Sequence, residues 1–183
     1  MNGRGTRTPR KLRALSTMKP FAISLLALAL LLVQLPSLAA EERGSVTNLP
    51  IPRYVSMKAS EGNVRRGPSR THRIDWIFKR RDTPLLITAE HGHWRRVQDR
   101  DGAGGWMHYT LLSGVRTVIV ETDMLEMRAR PQSDALTVAQ LELGVVARIE
   151  ECGETWCRLR AATHNGWVEK QHLWGVAPGE TVD

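Results

Sequence analysis

The sequence predicts an all-β protein made of two tandem small barrels that follow an N-terminal signal-peptide helix. Three observations support this prediction. The 183-residue chain repeats itself at an offset of 61 to 63 positions, and short apolar segments alternate with turns rich in glycine and proline. After residue 41 no clear helical period is sustained, although 133–143 could pass for a helix on composition. We interpret that segment as a long loop plus a strand, because its counterpart 74–79 is rich in β-forming residues.

The first 40 residues have the pattern of a secretory signal peptide. Six basic residues and no acidic ones precede position 21, the apolar run 21–35 follows, and the small residues Ala39 and Ala40 come just before two glutamates. A helix of this run would reach about 22 Å, short of the roughly 30 Å of a bilayer core. We therefore expect cleavage after Ala39 or Ala40 and no stable membrane span after it. Met1 and Met18 both remain possible start residues.

The net charge of +7 does not indicate a nucleic-acid partner. Without residues 1–40 the chain has 20 basic and 19 acidic residues, so the folded part is nearly neutral. The two halves differ, however, since 41–116 carry +6 and 117–183 carry −5. Either the halves attract each other, or the first half presents a cationic surface to an anionic envelope component, or the charges are simply solvated. The cationic candidates are Arg65, Arg66, Arg70, Arg73, Lys79, Arg80 and Arg81.

Both cysteines, Cys152 and Cys157, lie in the exported part, where an even number favours a disulfide. The four residues between them read as a hairpin turn that would bring the two sulfurs together. Zinc would need further ligands at recognisable spacing, and a catalytic thiol would need a nearby base. We predict a disulfide, no metal site and no cofactor.

The repeat places corresponding residues in the same order in both halves. The matched features are Arg65 and Pro68 with Arg128 and Pro131, Trp94 with Trp156, Gly105-Trp106 with Gly166-Trp167, and Leu112 and Gly114 with Leu173 and Gly175. Each copy spans about 60 residues, too few for a large core. We therefore predict that Trp94 and Trp156 belong to the two cores, where truncation to alanine would cost about 3–5 kcal/mol.

The expected strands form hairpins in both copies. Residues 85–89 and 94–98 flank a His-Gly-His turn, and 145–149 and 156–159 flank the cysteine turn. Glycine-containing turns at 99–105 and 162–166 precede the next strand. The resulting division is a signal peptide at 1–40, a linker at 41–53, barrels at 54–115 and 116–178, and a tail at 179–183.

These motifs resemble the bacterial SH3-like domain family of exported proteins. The resemblance rests on Asn63-Val-Arg-Arg-Gly-Pro-Ser69, Trp76-Ile-Phe78, Trp94-Arg-Arg-Val97, Gly105-Trp106-Met-His108 and Leu112-Ser-Gly114, and in the second copy on Trp156-Cys-Arg-Leu159, Gly166-Trp167-Val168 and Leu173-Trp174-Gly175. It covers about 54–178 and implies two five-stranded barrels in the cell envelope. It also implies modules that often direct enzymes to the cell wall.

The sequence contains none of the common hydrolase, metalloprotease or phosphate-loop motifs. We therefore predict an exported, periplasmic or secreted non-enzymatic binding or scaffold protein that recognises cell-wall peptides or an envelope protein. The alternative is a peptidoglycan-processing enzyme or its regulator. Ligand identity and oligomeric state stay open.

Aromatic and basic side chains provide the candidate binding residues, because SH3 grooves hold peptides on aromatic rings. The candidates are Arg65, Arg66, Trp76, Tyr109 and Trp174. Ile74, Trp76 and Phe78 alternate as in a strand that buries one face, so we expect core burial for Trp76 and Phe78 ahead of ligand contact.

Overall fold

The computed structural model describes residues 42–183, which belong to one compact unit. The predicted signal-peptide helix, at 1–40, lies outside the described residues. Between residues 42 and 183, no helix is both long and apolar enough to cross a bilayer.

Seven strands and one short 3-10 helix form the first barrel. The strands are β1 (Arg53–Met57), β2 (Glu61–Arg65), β3 (Ile74–Lys79), β4 (Pro84–His91), β5 (Trp94–Gln98), β6 (Gly104–His108) and β7 (Leu112–Ser113), and the 3-10 helix spans Tyr109–Leu111. All pairings are antiparallel, and the order in the sheet is β3-β2-β6-β5-β4-β1-β7.

The second barrel repeats this plan strand for strand. Its strands are β8 (Thr117–Val120), β9 (Leu125–Arg128), β10 (Thr137–Leu141), β11 (Val146–Cys152), β12 (Trp156–Ala161), β13 (His164–Glu169) and β14 (Leu173–Trp174), with a 3-10 helix at Lys170–His172. The sheet order β10-β9-β13-β12-β11-β8-β14 is that of the first barrel shifted by seven strands. The predicted all-β fold with two tandem barrels is confirmed, as is the loop plus strand at 133–143.

Equivalent residues can be assigned from the strand pairing. Arg65 lies opposite Trp106 in the first barrel, and Arg128 lies opposite Trp167 in the second. Both outer hairpins also share a β-bulge, since the pairing shifts between Val64 and Arg65 in one and between Thr137 and Ala139 in the other. The duplication therefore extends to irregular backbone features.

Each barrel encloses its own apolar core of aliphatic and sulfur-containing side chains. The first core contains Ile51, Met57, Val64, Leu85, Ile87, Val97 and Met107. The second core is larger and includes Val118, Val120, Met127, Ile149, Leu159, Val168 and Leu173. Burial of such side chains stabilises each barrel by about 1.5–3 kcal/mol per residue.

The prediction that Trp94 and Trp156 belong to the cores was wrong. Both indoles are half-buried, while the cores take Val97 in β5 and Cys157 and Leu159 in β12, which lie at odd spacing from the tryptophans. Since strand side chains alternate between faces, each tryptophan lies on the outer face of its sheet. Trp106 and Trp167 likewise lie on the outer face, because the residues that follow them, Met107 and Val168, are buried.

Strand β3 buries less than its alternation suggested. Phe78 packs against the first core, but the Trp76 side chain is 51% exposed. The expectation of core burial is therefore wrong for Trp76. Strand β3 is the last strand of its sheet, so no neighbouring strand covers its outer side.

The cysteine hairpin has the predicted form. Cys152 and Cys157 lie opposite each other in β11 and β12, with Cα atoms 4.1 Å apart, and their sulfurs form a disulfide. Cys152 also exchanges two backbone hydrogen bonds with Val182. The hairpin thereby fixes the end of the chain against the second barrel.

Residues 44–49 lie against the first barrel, where the fully buried Glu90 carboxylate binds them. It accepts hydrogen bonds from the backbone N–H groups of Val46 (3.0 Å) and Thr47 (2.8 Å), the Thr47 hydroxyl (2.7 Å) and the Arg53 guanidinium (2.6 Å). Burial alone would raise the pKa of Glu90, but these donors outweigh it and lower the pKa to about 2. This carboxylate therefore stays ionised at neutral pH.

The two barrels meet at a compact junction. The Thr117 hydroxyl donates a hydrogen bond of 2.7 Å to the Asp82 carbonyl, and the Arg116 guanidinium stacks 5.8 Å above the Tyr54 ring while it binds the Glu180 carboxylate. Gly175, with a φ of +118°, allows β14 to approach, because a Cβ there would lie 2.6 Å from the Thr117 carbonyl oxygen.

Candidate functional site

The second barrel carries an open groove with a volume of about 1180 Å³. Four chain segments form its walls. They are the loop between β9 and β10 (132–134), the cysteine turn with the start of β12 (154–156), the end of β13 with the 3-10 helix (169–171), and the chain after β14 (176–179). These segments are distant in sequence, so only the closed barrel brings them together.

The Trp156 indole separates this groove from a smaller cleft. It lines both cavities, together with Glu169. The cleft has a volume of about 220 Å³ and its other lining residues come from 122–126, Arg128 and His172. The half-buried indole thus contributes apolar surface to both depressions.

Carboxylates dominate the charge of these two cavities. Asp134, Glu154 and Glu169 line the groove, and Asp123 and Glu126 line the cleft. In the cleft, Arg128 forms an ion pair with Glu126, which compensates one of the negative charges. The remaining carboxylates favour a ligand that carries positive charge.

Lys170 is the cation of the groove, and it is buried. Its ammonium donates hydrogen bonds to the backbone carbonyls of Gly153 (2.5 Å) and Glu180 (2.7 Å). These two carbonyls belong to the cysteine turn and to the chain end, so one side chain joins two walls of the groove. Lys170 therefore has a structural role that occupies two of its three donors.

The chain end is held from a second side as well. The Glu180 carboxylate binds the Arg116 guanidinium and accepts the Ala177 backbone N–H at 2.8 Å. Burial would raise the pKa of Glu180, but Arg116 and the Ala177 N–H lower it below its usual value. The wall 176–179 is thus fixed by charge-assisted contacts that depend on an ionised Glu180.

The equivalent surface of the first barrel has a different chemistry. Trp94 lies opposite His108, as Trp156 lies opposite Glu169. The ring centroids are 5.4 Å apart for Trp94 and His108, 5.8 Å for His93 and His108, and 5.1 Å for His108 and Tyr109. An aromatic and imidazole cluster thus takes the place of the acidic groove.

Positively charged side chains, Arg70 and Arg95, lie near this cluster. The Arg95 guanidinium lies 5.9 Å from the centroid of the Tyr109 ring. Burial lowers the pKa of His108, and the charges of His93, Arg70 and Arg95 lower it further. His108 therefore resists protonation relative to a free imidazole.

The five residues predicted to bind ligand do not form one site, since Arg65, Arg66 and Trp76 lie in the hairpin of β2 and β3, away from the other two. Arg65 donates to the His72 carbonyl at 2.7 Å, Arg66 binds Asp75 at 3.1 Å, and Trp76 lies on β3. Tyr109 belongs to the histidine cluster, and Trp174 packs on Tyr54 at the junction. None of the five is among the residues that line the groove of the second barrel. They remain predicted binding residues.

Sequence reasoning missed the groove residues Asp134, Glu154 and Glu169. One signal was available, because the alternation in Trp156-Cys-Arg-Leu159 places the tryptophan out of phase with Cys157 and Leu159, next to an acidic turn. The contribution of 176–179 had no such signal, since it depends on tertiary contacts of the chain end.

A family model described as bacterial SH3 domain matches the chain twice, at 58–114 and at 121–175. No curated protein matches the chain. Similar solved structures include NlpC2 and NlpC1 from Trichomonas vaginalis, each 9% identical, with TM-scores of 0.32 and 0.31. The matches cover 67% and 72% of this chain and 48% of each of those chains. The chain thus spans about half the length of these structures.

Proposed function

Because the chain belongs to the bacterial SH3 domain family and carries the domain in tandem, we propose that it is an exported, non-enzymatic binding or scaffold protein that recognises peptides of the cell wall. The observation that carries this proposal is the groove of the second barrel, where the Trp156 ring is surrounded by carboxylates.

The size and shape of the groove suit an extended peptide. At about 1180 Å³ it exceeds the 300–1,000 Å³ or so that is typical of small-molecule pockets, and it is open to solvent. Trp156 provides a rigid apolar surface whose contact costs little conformational entropy. A short peptide can therefore lie across the ring while its ends extend into the two cavities.

The charge of the groove specifies the kind of peptide. Asp134, Glu154 and Glu169 line the groove, whereas Lys170 is buried and directs two of its three donors to the Gly153 and Glu180 carbonyls. An amino group on the peptide would pair with these carboxylates and also gain from the face of the indole. We therefore expect a peptide with a free amine to bind better than its acetylated form.

The disulfide supports both export and the absence of thiol chemistry. Both cysteines of the chain are consumed by the Cys152–Cys157 bond, so neither sulfur is a free nucleophile. Disulfides persist in oxidising compartments, as expected of an exported protein.

The proposal is tested by calorimetric titration of the fragment 41–183, which contains every residue of both cores, with soluble cell-wall peptides. Trp156→Ala should weaken binding at least about tenfold, because an aromatic hot spot of this kind typically contributes about 2 kcal/mol or more. Trp94→Ala is the matched control, since it removes the equivalent indole from the first barrel. Equal losses in both variants, or none in either, would contradict a site in the groove.

Two further readouts separate the other possibilities. Mass spectrometry of the titrated peptides should show no cleavage, and cleavage by the wild-type protein that is lost in a variant would show an enzyme instead. Crosslinking in intact cells through a photoreactive group at Gln132, on the rim of the groove, should capture wall fragments. Specific capture of one envelope protein there, without wall binding, would replace the peptide by that protein.

A further inference from the structure

The outer hairpin of the first barrel differs from its counterpart in charge. Residues 58–82, here named the cationic hairpin, contain 8 basic and 3 acidic residues and therefore carry +5 of the +6 of this half. The equivalent residues 121–145 contain 2 basic and 5 acidic residues. The backbone plan of the two hairpins is the same, so the charge is not a requirement of the fold.

The cationic hairpin also exposes large apolar side chains. Trp76 and Ile77 on β3 are 51% and 48% exposed, and Ile74 is 40% exposed. Trp76 lies on one face of the strand and the two isoleucines on the other, so they are accessible together along the free edge of β3, the last strand of its sheet. In the second barrel Ala139 and Gln140 take the places of Trp76 and Ile77, as the pairing with Met127 and Glu126 shows. The equivalent strand β10 exposes Val138, but no aromatic side chain, and the residues around it carry a net negative charge. An exposed indole with isoleucines among excess cations is thus specific to the first barrel, and exposed apolar residues of this kind are typical of an interaction surface.

The cations flank the apolar patch at both ends of β3. Arg66 and Arg73 precede the strand and share Asp75, its second residue. Lys79 ends the strand, Arg80 and Arg81 follow it, and none of these three forms an ion pair with any residue between 42 and 183. Glu61 and Asp82 are the acidic residues near this end. Cations therefore remain in excess on both sides of an indole and two isoleucines.

We propose that the cationic hairpin docks the protein on the surface of an anionic phospholipid bilayer. Tryptophan prefers the membrane–water interface, where its ring meets the acyl region and its N–H stays hydrated. Lysine and arginine beside it are attracted by anionic headgroups. The combination distinguishes a bilayer from a soluble polyanion, which would use the cations and leave Trp76 and Ile77 in water.

This surface is separate from the groove of the second barrel, so the two proposals can fail independently. The test uses the fragment 41–183, which lacks the apolar run 21–35, and cosedimentation with phosphatidylglycerol/phosphatidylcholine vesicles. The fragment should bind these vesicles, release them as salt is raised, and ignore pure phosphatidylcholine. The tryptophan fluorescence of the fragment should shift to shorter wavelength on binding, and Trp76→Ala should abolish this shift.

Two variants and one control define the site. Trp76→Ala with Ile77→Gln installs the residues that the second barrel already tolerates and should weaken vesicle binding at least about tenfold. Lys79→Gln, Arg80→Gln and Arg81→Gln together should weaken it roughly 100-fold, since each cation near an anionic surface contributes about a factor of five. Leu136→Ala, at a side chain 76% exposed on the second barrel, should leave binding unchanged.

The proposal is overturned if the wild-type fragment does not bind anionic vesicles while circular dichroism shows it folded. It is also overturned if the Trp76/Ile77 variant binds as well as wild type, because charge alone would then explain the attraction. Loss of binding in Leu136→Ala equal to that in the other variants would show unfolding or nonspecific adsorption and would likewise refute the surface.

Discussion

The indole of Trp174 stands edge-on to the phenol ring of Tyr54, with 5.2 Å between ring centroids and 81° between ring planes. Tyr54 belongs to β1 of the first barrel and Trp174 to β14 of the second. The contact therefore joins the two repeats. Burial raises the pKa of Tyr54, and the negative charge of Glu180 adds to this effect against the opposing charge of Arg116, so the phenol remains protonated at neutral pH.

This pair should couple the stabilities of the two barrels. In a double-mutant cycle of Tyr54→Ala and Trp174→Ala, followed by urea unfolding, we expect a coupling energy of about 0.5–1.5 kcal/mol. Tyr54→Phe, which keeps the ring, should retain most of it. Strictly additive losses would show that the rings do not stabilise one another.

Acid should weaken the attachment of residues 44–49. The pKa of Glu90 is about 2 in the folded protein and 4.5 when unperturbed, so the unfolded chain binds more protons between these values. The contribution of Glu90 is complete above about pH 4.5 and is lost as the pH falls towards 2, by about 3 kcal/mol in total. Denaturant unfolding across this range measures it. Glu90→Gln should flatten the dependence, whereas Glu142→Gln, at an exposed position, should leave it as in wild type.

Reduction should loosen the groove as well as destabilise the barrel. The Cys152→Ser, Cys157→Ser variant should lose about 2 kcal/mol of unfolding free energy, the amount expected for so short a loop. Cys152 also anchors Val182, so amide exchange in 176–182 should accelerate. A melting temperature insensitive to dithiothreitol in the wild type would contradict this.

Lys170→Met should cost about 2 kcal/mol, because the Gly153 and Glu180 carbonyls lose a charged donor in a buried place. Thermal unfolding measures the loss. Gln171→Ala changes the next residue, which is exposed, and serves as the control. Equal effects of the two substitutions would mean that the ammonium does not hold the walls together.

The barrels themselves were predictable because the repeat and the turn residues act locally. The hairpin between Cys152 and Cys157 follows from a turn flanked by β-forming residues, and the structure contains it. A large aromatic residue that recurs in both repeats is a poor sign of burial. Val97 and Leu159 mark the inward-facing positions of their strands, and Trp94 and Trp156 alternate with these positions. The alternation of Trp76 and Phe78 correctly places Trp76 on the same face as the buried Val64. Trp76 is nevertheless exposed, because β3 is an edge strand and has no neighbour on its outer side.

The groove was less predictable. Trp156 could be placed beside Glu154 from sequence, but its proximity to Asp134 and Gly179 depends on how the loop after β9 and the chain end fold back. The burial of Lys170 could not be predicted from the sequence either, because its ammonium binds the carbonyls of Gly153 and Glu180, which belong to other segments of the chain. Contacts of this kind arise from tertiary packing and have no local period.

The junction between the barrels sets the geometry of any simultaneous engagement. Only three residues, 114–116, connect β7 of the first barrel to β8 of the second. The Thr117–Asp82 hydrogen bond and the close approach of Gly175 to Pro84 restrain rotation of one barrel against the other. Two ligand sites carried on such a body have a fixed separation, so avidity rises sharply when the target spacing matches and vanishes when it does not. The protein would then select targets by the distance between the two points at which they are bound.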